Sequence, residues 1–540
     1  MSLDTAIDSL FMMFCTLLLF LIILGVSIFY SGLIQRRSSF TMLAIPLLLT
    51  AFVFLDWFIW GYSLCYASAS NRFIGSLKFV VLRQLKDETN LIYSTPRGEI
   101  LSIIHFLFNA LMKVICAVLT FPACIAERGR VMPMFVFVFF WSALVYNPVT
   151  YWFWNRSGWL SPQLDSLPVL DFAGGNCIHV VSGFTALAYS YYLGPRNTKL
   201  LHNYRSSNNS NMIIGMCFIV YGWCGFITGC DYKFSTITFY IMTNTLLSAA
   251  SAGVVWCAID YYNSATPLEG EEMNQDIELE TLEPENITMS TNRSLNTTKQ
   301  KEPRQRRTLS MISFSSGVIC GLVVFTPGGG YISSDKSFWK SVVFGIIGGA
   351  TGNLATGLKY YLKIDDSLDI FAIHGICGIV GSLLVGIFAD SSYDSEGGWV
   401  AGHWVQFGYQ LLGSAVTCVY VFVMSLFFLY VIDLIPGFHV RIDIEFNMRA
   451  RNNLRASHHN DELEQDKQYD MSLEMAELRG SDWYEFNGEY SMDFMEFITV
   501  INPEDYSDTA TETLSRNESL PRTIEFEDFQ VIRKRGAPVQ

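Results

Sequence analysis

The chain is short of charge. Only 16% of its 540 residues are Asp, Glu, Lys or Arg, against 51% hydrophobic. That balance excludes an ordinary soluble domain of this size. It lacks the alternating ten-residue segments of a membrane barrel. It lacks a basic stretch ahead of its first apolar block, and that block is span-length, so the start does not read as a cleaved signal peptide. Its 12 cysteines form no CxxC pair and no zinc spacing, and most sit inside apolar blocks as small hydrophobes. Metal-ligand spacing, phosphate loops and nucleophile arrangements are missing, so the residues give no enzymatic reading, no cofactor and no nucleic-acid partner.

What is present is a series of apolar blocks about 20 residues long, the length a helix needs to cross the hydrocarbon core. Backbone polar groups in lipid must be satisfied internally, so these blocks read as helices. Eleven spans are expected, near 11–30, 41–66, 103–125, 131–152, 172–193, 211–230, 236–262, 309–326, 338–361, 369–390 and 403–434. The fold class is therefore an all-α polytopic membrane protein.

Basic residues in short loops set the orientation. Arg36, Arg37, Arg128, Arg130, Arg196, Lys199, Arg205, Lys359 and Lys363 fall in alternate loops. Those loops read as cytoplasmic, with the N-terminus outside and the C-terminus inside. The long loop 67–102 is the exception, with five basic residues on the outer side, partly balanced by Asp87, Glu88 and Glu99. The spans and their loops make up residues 1–440. Within them, 263–308 is polar and reads as a disordered cytoplasmic insert. Residues 441–540 form an acidic cytoplasmic tail with 22 acidic and 11 basic residues, which supplies most of the net charge of −14. Sequons at Asn286, Asn292 and Asn296 lie in the insert, on the side where glycosylation does not occur. Asn155 lies in a short outer loop, as an accessible sequon would.

Ionisable residues inside spans are costly, which makes each a candidate for function. His179 and His374 lie several residues into spans five and ten, from loops that supply Asp171 and Asp369. Two imidazoles in contact can line a narrow polar path and relay a proton. From composition alone, two unrelated core histidines are the alternative.

The residues around them carry a resemblance. Asp171-Phe-Ala-Gly-Gly-Asn-Cys-Ile-His179, with Ser182-Gly183 and Gly194-Pro195-Arg196, closely resembles the defining motif of the Amt/Mep/Rh ammonium transporters. Asp365-Asp366-Ser-Leu-Asp369-Ile-Phe-Ala-Ile-His374-Gly375 resembles their second histidine motif. Phe29-Tyr-Ser-Gly-Leu33, Trp60-Gly-Tyr-Ser-Leu64, Ala126-Glu-Arg128, Gly222-Trp-Cys-Gly-Phe226 and Thr326-Pro327 also match, in the family's order over about 10–440. Ala126-Glu-Arg-Gly-Arg130 and the tail resemble the fungal Mep branch.

The resemblance implies an inverted repeat with pseudo-two-fold symmetry, one pore per subunit, and a trimer of like or related permeases in the plasma membrane. It implies that ammonium, and methylammonium as its analogue, gives up a proton at an outer vestibule. NH3 then crosses a pore lined by His179 and His374 while the proton is relayed. By position, Trp154 matches the vestibule aromatic, Phe226 one of two gate phenylalanines with Trp223 beside it, and Asp171 the residue that orders the vestibule. Asp171 can equally cap span five.

The chain departs from that pattern at two places. Cys230 stands where the family usually has a Ser that accepts from the ion, and sulfur accepts more weakly. The second gate phenylalanine should fall at Lys113, or at Met112 with a one-residue slip. Lys113 needs a partner inside the membrane, and Asp56, at similar depth in span two where the family often has Gln, is the expected one. A cation at the pore mouth opposes ammonium unless neutralised, so the alternative function is a poorly conducting ammonium sensor or regulatory subunit of the same fold. Gly480-Ser-Asp482-Trp-Tyr-Glu485 resembles the family tail that docks on the cytoplasmic face and gates transport, here displaced by a polar insert at 443–475. Thr308, Ser310 and Ser519 lie in short matches to basophilic kinase sites, where phosphate adds charge.

Overall fold

The computed structural model describes residues 3–85, 92–95, 98–164, 167–196, 205–267, 305–391, 395–442, 477 and 480–486. Among the described residues, eleven long helical elements carry the fold. They are α1 (Leu3–Leu33), α2 (Arg36–Tyr66), α3 (Ser102–Ile125), α4 (Val131–Trp154), α5 (Gly175–Val180 running into Val181–Leu193) and α6 (Asn209–Gly229). Then come α7 (Thr236–Asn263), α8 (Met311–Gly328), α9 (Phe338–Leu362), α10 (Phe371–Phe388) and α11 (Val405–Asp433). All but α5 are long and apolar enough to cross a membrane.

The α3 and α7 ends fall within one residue of the expected spans. α5 begins three residues later than expected, because Gly174 takes φ +111° and turns the chain into the helix. Two short pairs stand outside the helices. β1 (Ile92–Thr95) and β2 (Gly98–Leu101) form a hairpin in the long loop, and Thr266–Pro267 pairs with Gln305–Arg306. The ends of the polar insert are thus held together. Its interior, the sequons at Asn286, Asn292 and Asn296, the segment 443–475 and Ser519 lie outside the described residues.

In lipid, helices associate by close packing, and small residues permit it. α1 lies against α6 through glycines on both: a Cβ on Gly25 would come 2.8 Å from the Gly215 carbonyl oxygen. α5 crosses α10 still more closely, where a Cβ on Gly183 would stand 2.2 Å from the Gly375 Cα. First with sixth and fifth with tenth is the pairing of two five-helix halves in an inverted repeat. α11 packs outside them, against α4, α5 and α10.

Candidate functional site

The site begins at Asp171. Its two carboxylate oxygens accept the backbone N–H groups of Gly174, Gly175, Asn176 and Cys177 at 2.6–3.1 Å. These are the donors a helix start leaves without intrahelical partners. α5 then opens with a π turn over Gly175–Val180, and α10 opens with one over Phe371–Ile376. Each turn carries a histidine. The Gly183–Gly375 crossing brings the two turns together, so that His179 Nδ1 and His374 Nδ1 lie 3.2 Å apart. The rings stack with centroids 5.2 Å apart and both are buried.

Counting protons assigns their tautomers. The Thr326 hydroxyl donates its only proton to the Leu322 carbonyl at 2.8 Å. Toward Trp223 Nε1 and His179 Nε2, each 3.3 Å away, the hydroxyl oxygen is therefore an acceptor. His179 then carries its proton on Nε2 and accepts at Nδ1, His374 donates from Nδ1, and His374 Nε2 keeps a lone pair. His374 lines a cavity of about 260 Å³. That cavity runs to the arginine-rich end of the molecule, past Tyr30, Leu119 and Ile373 to Arg196 and Lys359.

From His179 an aromatic row begins, and its first member, Trp223, also lines that cavity. Trp223 stacks on His179 at 5.4 Å and Phe226 meets Trp223 edge-on at 5.2 Å. Cys230 lies one turn beyond, half-buried, with its thiol donating to the Phe226 carbonyl at 3.3 Å. Trp154 is half-buried and donates its indole N–H to the Asp171 carbonyl at 2.8 Å. Asp171 therefore both starts α5 and holds the Trp154 indole in place.

The sequence model of the Ammonium Transporter Family matches residues 10–268 and 286–453. The chain belongs to this family. It is similar to "Ammonium transporter 1" of Schizosaccharomyces pombe, at 33% identity over 80% of this chain and 77% of that one. It is also similar to "Ammonium transporter MEP3" of Saccharomyces cerevisiae, at 32% over 81% and 79%. Among solved structures it resembles Candida albicans Mep2, with TM-score 0.67 and 29% identity over 82% of this chain and 89% of that one.

Within this ammonium-transporter fold Lys113 is not in the row of pore candidates. It is fully buried between α2, α3 and α4. Its Nζ lies 2.6 Å from Asp56 Oδ2 and 2.9 Å from Asn147 Oδ1, so its charge is compensated at contact distance. The α3 face that brings Leu119 into the cavity carries Met112 two turns earlier, and Phe108 a further turn on against Gly229. Of the two sequence alignments, the slip to Met112 fits the helix face. The expected repulsion at the pore mouth thereby loses its basis.

Asp369 does not take the place of Asp171 in the second half. It adopts φ +56° and pairs with Lys359 at 2.8 Å. Asp366 is the capping residue, accepting the Phe371 N–H at 2.7 Å. Burial, and then the neighbouring Asp369 charge, push its carboxyl up to about 7. The missed signal was a spacing: Asp366 precedes His374 by eight residues, as Asp171 precedes His179. Thr326, Ser142 and Asn147 were also missed, being neutral residues with no charge to draw attention. Asn155 does not offer an open sequon. It is buried, and its amide nitrogen donates to the Cys65 carbonyl at 2.9 Å. Ser310 caps α8 by accepting from Ser313 N–H, while Thr308 is exposed.

The arginine-rich end is a network. Glu127, fully buried, sits between Arg37 at 3.2 Å and Arg196, which bonds its other oxygen. Arg196 also grips Asp365 at 2.6 and 2.8 Å. Burial alone would lower the Arg196 pKa, but Glu127 and Asp365 more than offset it and hold it above the ordinary value. The tail helix α12 (Ser481–Glu485) docks beside this network. Asp482 accepts from Phe40 N–H at 3.0 Å, and from the Thr41 N–H and hydroxyl at 2.7 Å each, at the start of α2. Glu485 accepts from Val131 N–H at the start of α4, and Phe486 meets Phe40 edge-on.

Burial pushes the Asp482 carboxyl up to about 6, against the opposing pull of Thr41, Phe40 and Arg37. A carboxyl with its docked pKa raised binds the proton more tightly when docked, so docking is favoured as the pH falls through 6. The expected outcome is slower proteolysis of the tail at pH 5.5 than at pH 7.5. Asp482→Asn should reduce that difference, and Asp482→Asn with Glu485→Gln should remove it, since burial pushes the Glu485 carboxyl up as well; a pH effect that survives both substitutions would place its origin elsewhere.

Proposed function

We propose that this chain moves ammonium across the plasma membrane. Ammonium is recruited beside Trp154, Cys230 and Asp171 and, past Phe226, gives up its proton to the imidazole pair, whose open lone pair is on His374 Nε2. NH3 passes the His179–His374 pair, and the proton follows through the imidazoles. The N-terminus and the recruiting face are outside, and the arginine-rich face with the docked tail is cytoplasmic. The assembly is a trimer, of this chain or with related permeases, and the tail regulates conduction.

The observation that carries this reading is the buried imidazole pair between an aromatic row and a cavity reaching the other face. A bare cation in hydrocarbon is costly by Born solvation, and splitting it into NH3 and a relayed proton avoids most of that cost. Potassium has no proton to lose, which gives selectivity. His374 Nε2 supplies a lone pair beside the cavity, and the chain from His179 to Thr326 holds the first ring in one tautomer. The Cys230 thiol is a weak acceptor already donating to Phe226, so recruitment there rests mainly on the Trp154 ring face.

Growth rescue tests the reading. Expressed in yeast cells lacking their own ammonium permeases, the wild type is expected to restore growth on limiting ammonium. His179→Ala, at equal surface level, is expected not to. No rescue by wild-type protein confirmed at the plasma membrane would instead support the sensor alternative.

A further inference from the structure

Lys113 sits in a cage with the chemistry of an ammonium site. Its Nζ meets a carboxylate oxygen of Asp56 at 2.6 Å and an amide oxygen of Asn147 at 2.9 Å. The ring faces of Trp57 and Tyr146 stand 5.4 and 5.5 Å from it, both within cation–π range. The cage is held from behind. Trp60 donates its indole N–H to Asp56 Oδ1 at 2.7 Å, Ser142 donates to Asp56 Oδ2, and the Cys65 thiol lies 3.4 Å from Asn147 Oδ1. Gly61 makes the room, since a Cβ there would come 2.9 Å from Nζ. Asp56, Lys113, Ser142 and Asn147 are all at least nine-tenths buried.

A lone lysine that happened to need a counter-ion calls for one carboxylate. Here a carboxylate, an amide oxygen and two aromatic faces converge on one NH3⁺ group. We infer that this is a built intramembrane cation site for primary ammonium ions, lying beside the His179–His374 row and occupied permanently by the chain's own Lys113. The lysine keeps the site closed to free ions and cancels the Asp56 charge, so that external ammonium is offered one route through the subunit. When the occupant is removed, a small primary ammonium ion should take its place. The fit is specific: cutting Lys113 back to alanine deletes Cγ, Cδ, Cε and Nζ, and n-propylammonium has the same three carbons and one nitrogen. Tetramethylammonium and potassium have no N–H to give Asp56 or Asn147, and ammonium, which has, leaves the channel of the stem unfilled.

The test uses the purified full-length protein and reads melting temperature, which is independent of transport. Lys113→Ala is expected to melt several degrees below wild type, because Asp56 is left buried without its partner. n-Propylammonium chloride should restore most of that loss, and ammonium chloride less. Potassium and tetramethylammonium chlorides should do no more than they do for the wild type. Adding Asp56→Asn to Lys113→Ala should abolish the propylammonium response. A response in Lys113→Ala no larger than in wild type, or one that survives Asp56→Asn, overturns the inference. If Lys113→Ala is not delivered to the membrane, its delivery in cells grown with and without propylammonium is the same measurement. Restored delivery supports the site, and unchanged delivery overturns it.

Discussion

Asp171→Ala is expected to cut delivered protein roughly tenfold or more and to leave no measurable methylammonium uptake. Four backbone N–H groups end on the two Asp171 oxygens, and Asp171 is 5% exposed. Alanine leaves all four without that acceptor. A buried donor so orphaned costs about 1–3 kcal/mol, and the sum approaches the whole stability of a typical domain, about 5–15 kcal/mol. The damage is also aimed at the site. Gly174 turns the chain into α5 at φ +111°, the π turn that carries His179 starts at Gly175, and the Asp171 carbonyl holds the Trp154 indole. Asp171→Asn keeps one acceptor oxygen and should fall between wild type and alanine. Fluorescence-detected gel filtration gives delivery, and uptake per delivered molecule gives function. Wild-type delivery and uptake for Asp171→Ala would mean that the cap has no part in holding either residue.

The helices were legible because lipid leaves the backbone no other solution, and length alone then marks them. The two histidines were legible for the same reason, since a titratable group in a span is conspicuous. The Lys113–Asp56 contact could be anticipated from depth, as two opposite charges on neighbouring antiparallel spans. The direction Lys113 takes could not. One residue of slip on a helix rotates the side chain by about 100°, which is the difference between the α3 face that Met112 shares with Leu119 and the cluster under α2 and α4. Asp369 stands out as the acid its loop supplies nearest the helix, but the cap is Asp366, because a cap is set by the geometry of the turn. The eight-residue interval before each histidine shows only when the halves are compared. Thr326 carries no charge, and its importance comes from three neighbours in different elements. The docking of α12 could not be derived, because a polar stretch as long as 443–475 lets the following segment reach many places.

Glu127 joins that dock to the cavity. Glu127→Gln is nearly isosteric, yet it is expected to cost about 3–5 kcal/mol, as removal of one partner from a buried ion pair does. Glu127 is 0% exposed and its carboxylate lies between Arg37 and Arg196. Without its charge, Arg196 still has Asp365 at 2.6 Å, while Arg37 loses its contact with Glu127 and retains the Glu477 carbonyl at 2.6 Å, Gln35 Oε1 at 2.7 Å and the pull of Asp482. Arg37 should therefore be the side that gives way. It carries Gly480 against its backbone and Glu477 on its guanidinium, so its movement loosens the tail, while Arg196 on the other side lines the cavity below His374. The expected result is faster tail proteolysis together with reduced methylammonium uptake at equal delivery. Arg37→Gln added to Glu127→Gln should do less than the sum of the two single changes, because each alone leaves a buried charge and the pair leaves fewer. Strict additivity, or a tail as protected as in wild type, would show that Glu127 serves Arg196 alone. The dock would then be held by Asp482 and Glu485 on the starts of α2 and α4, with no line of charge from the tail to the cavity.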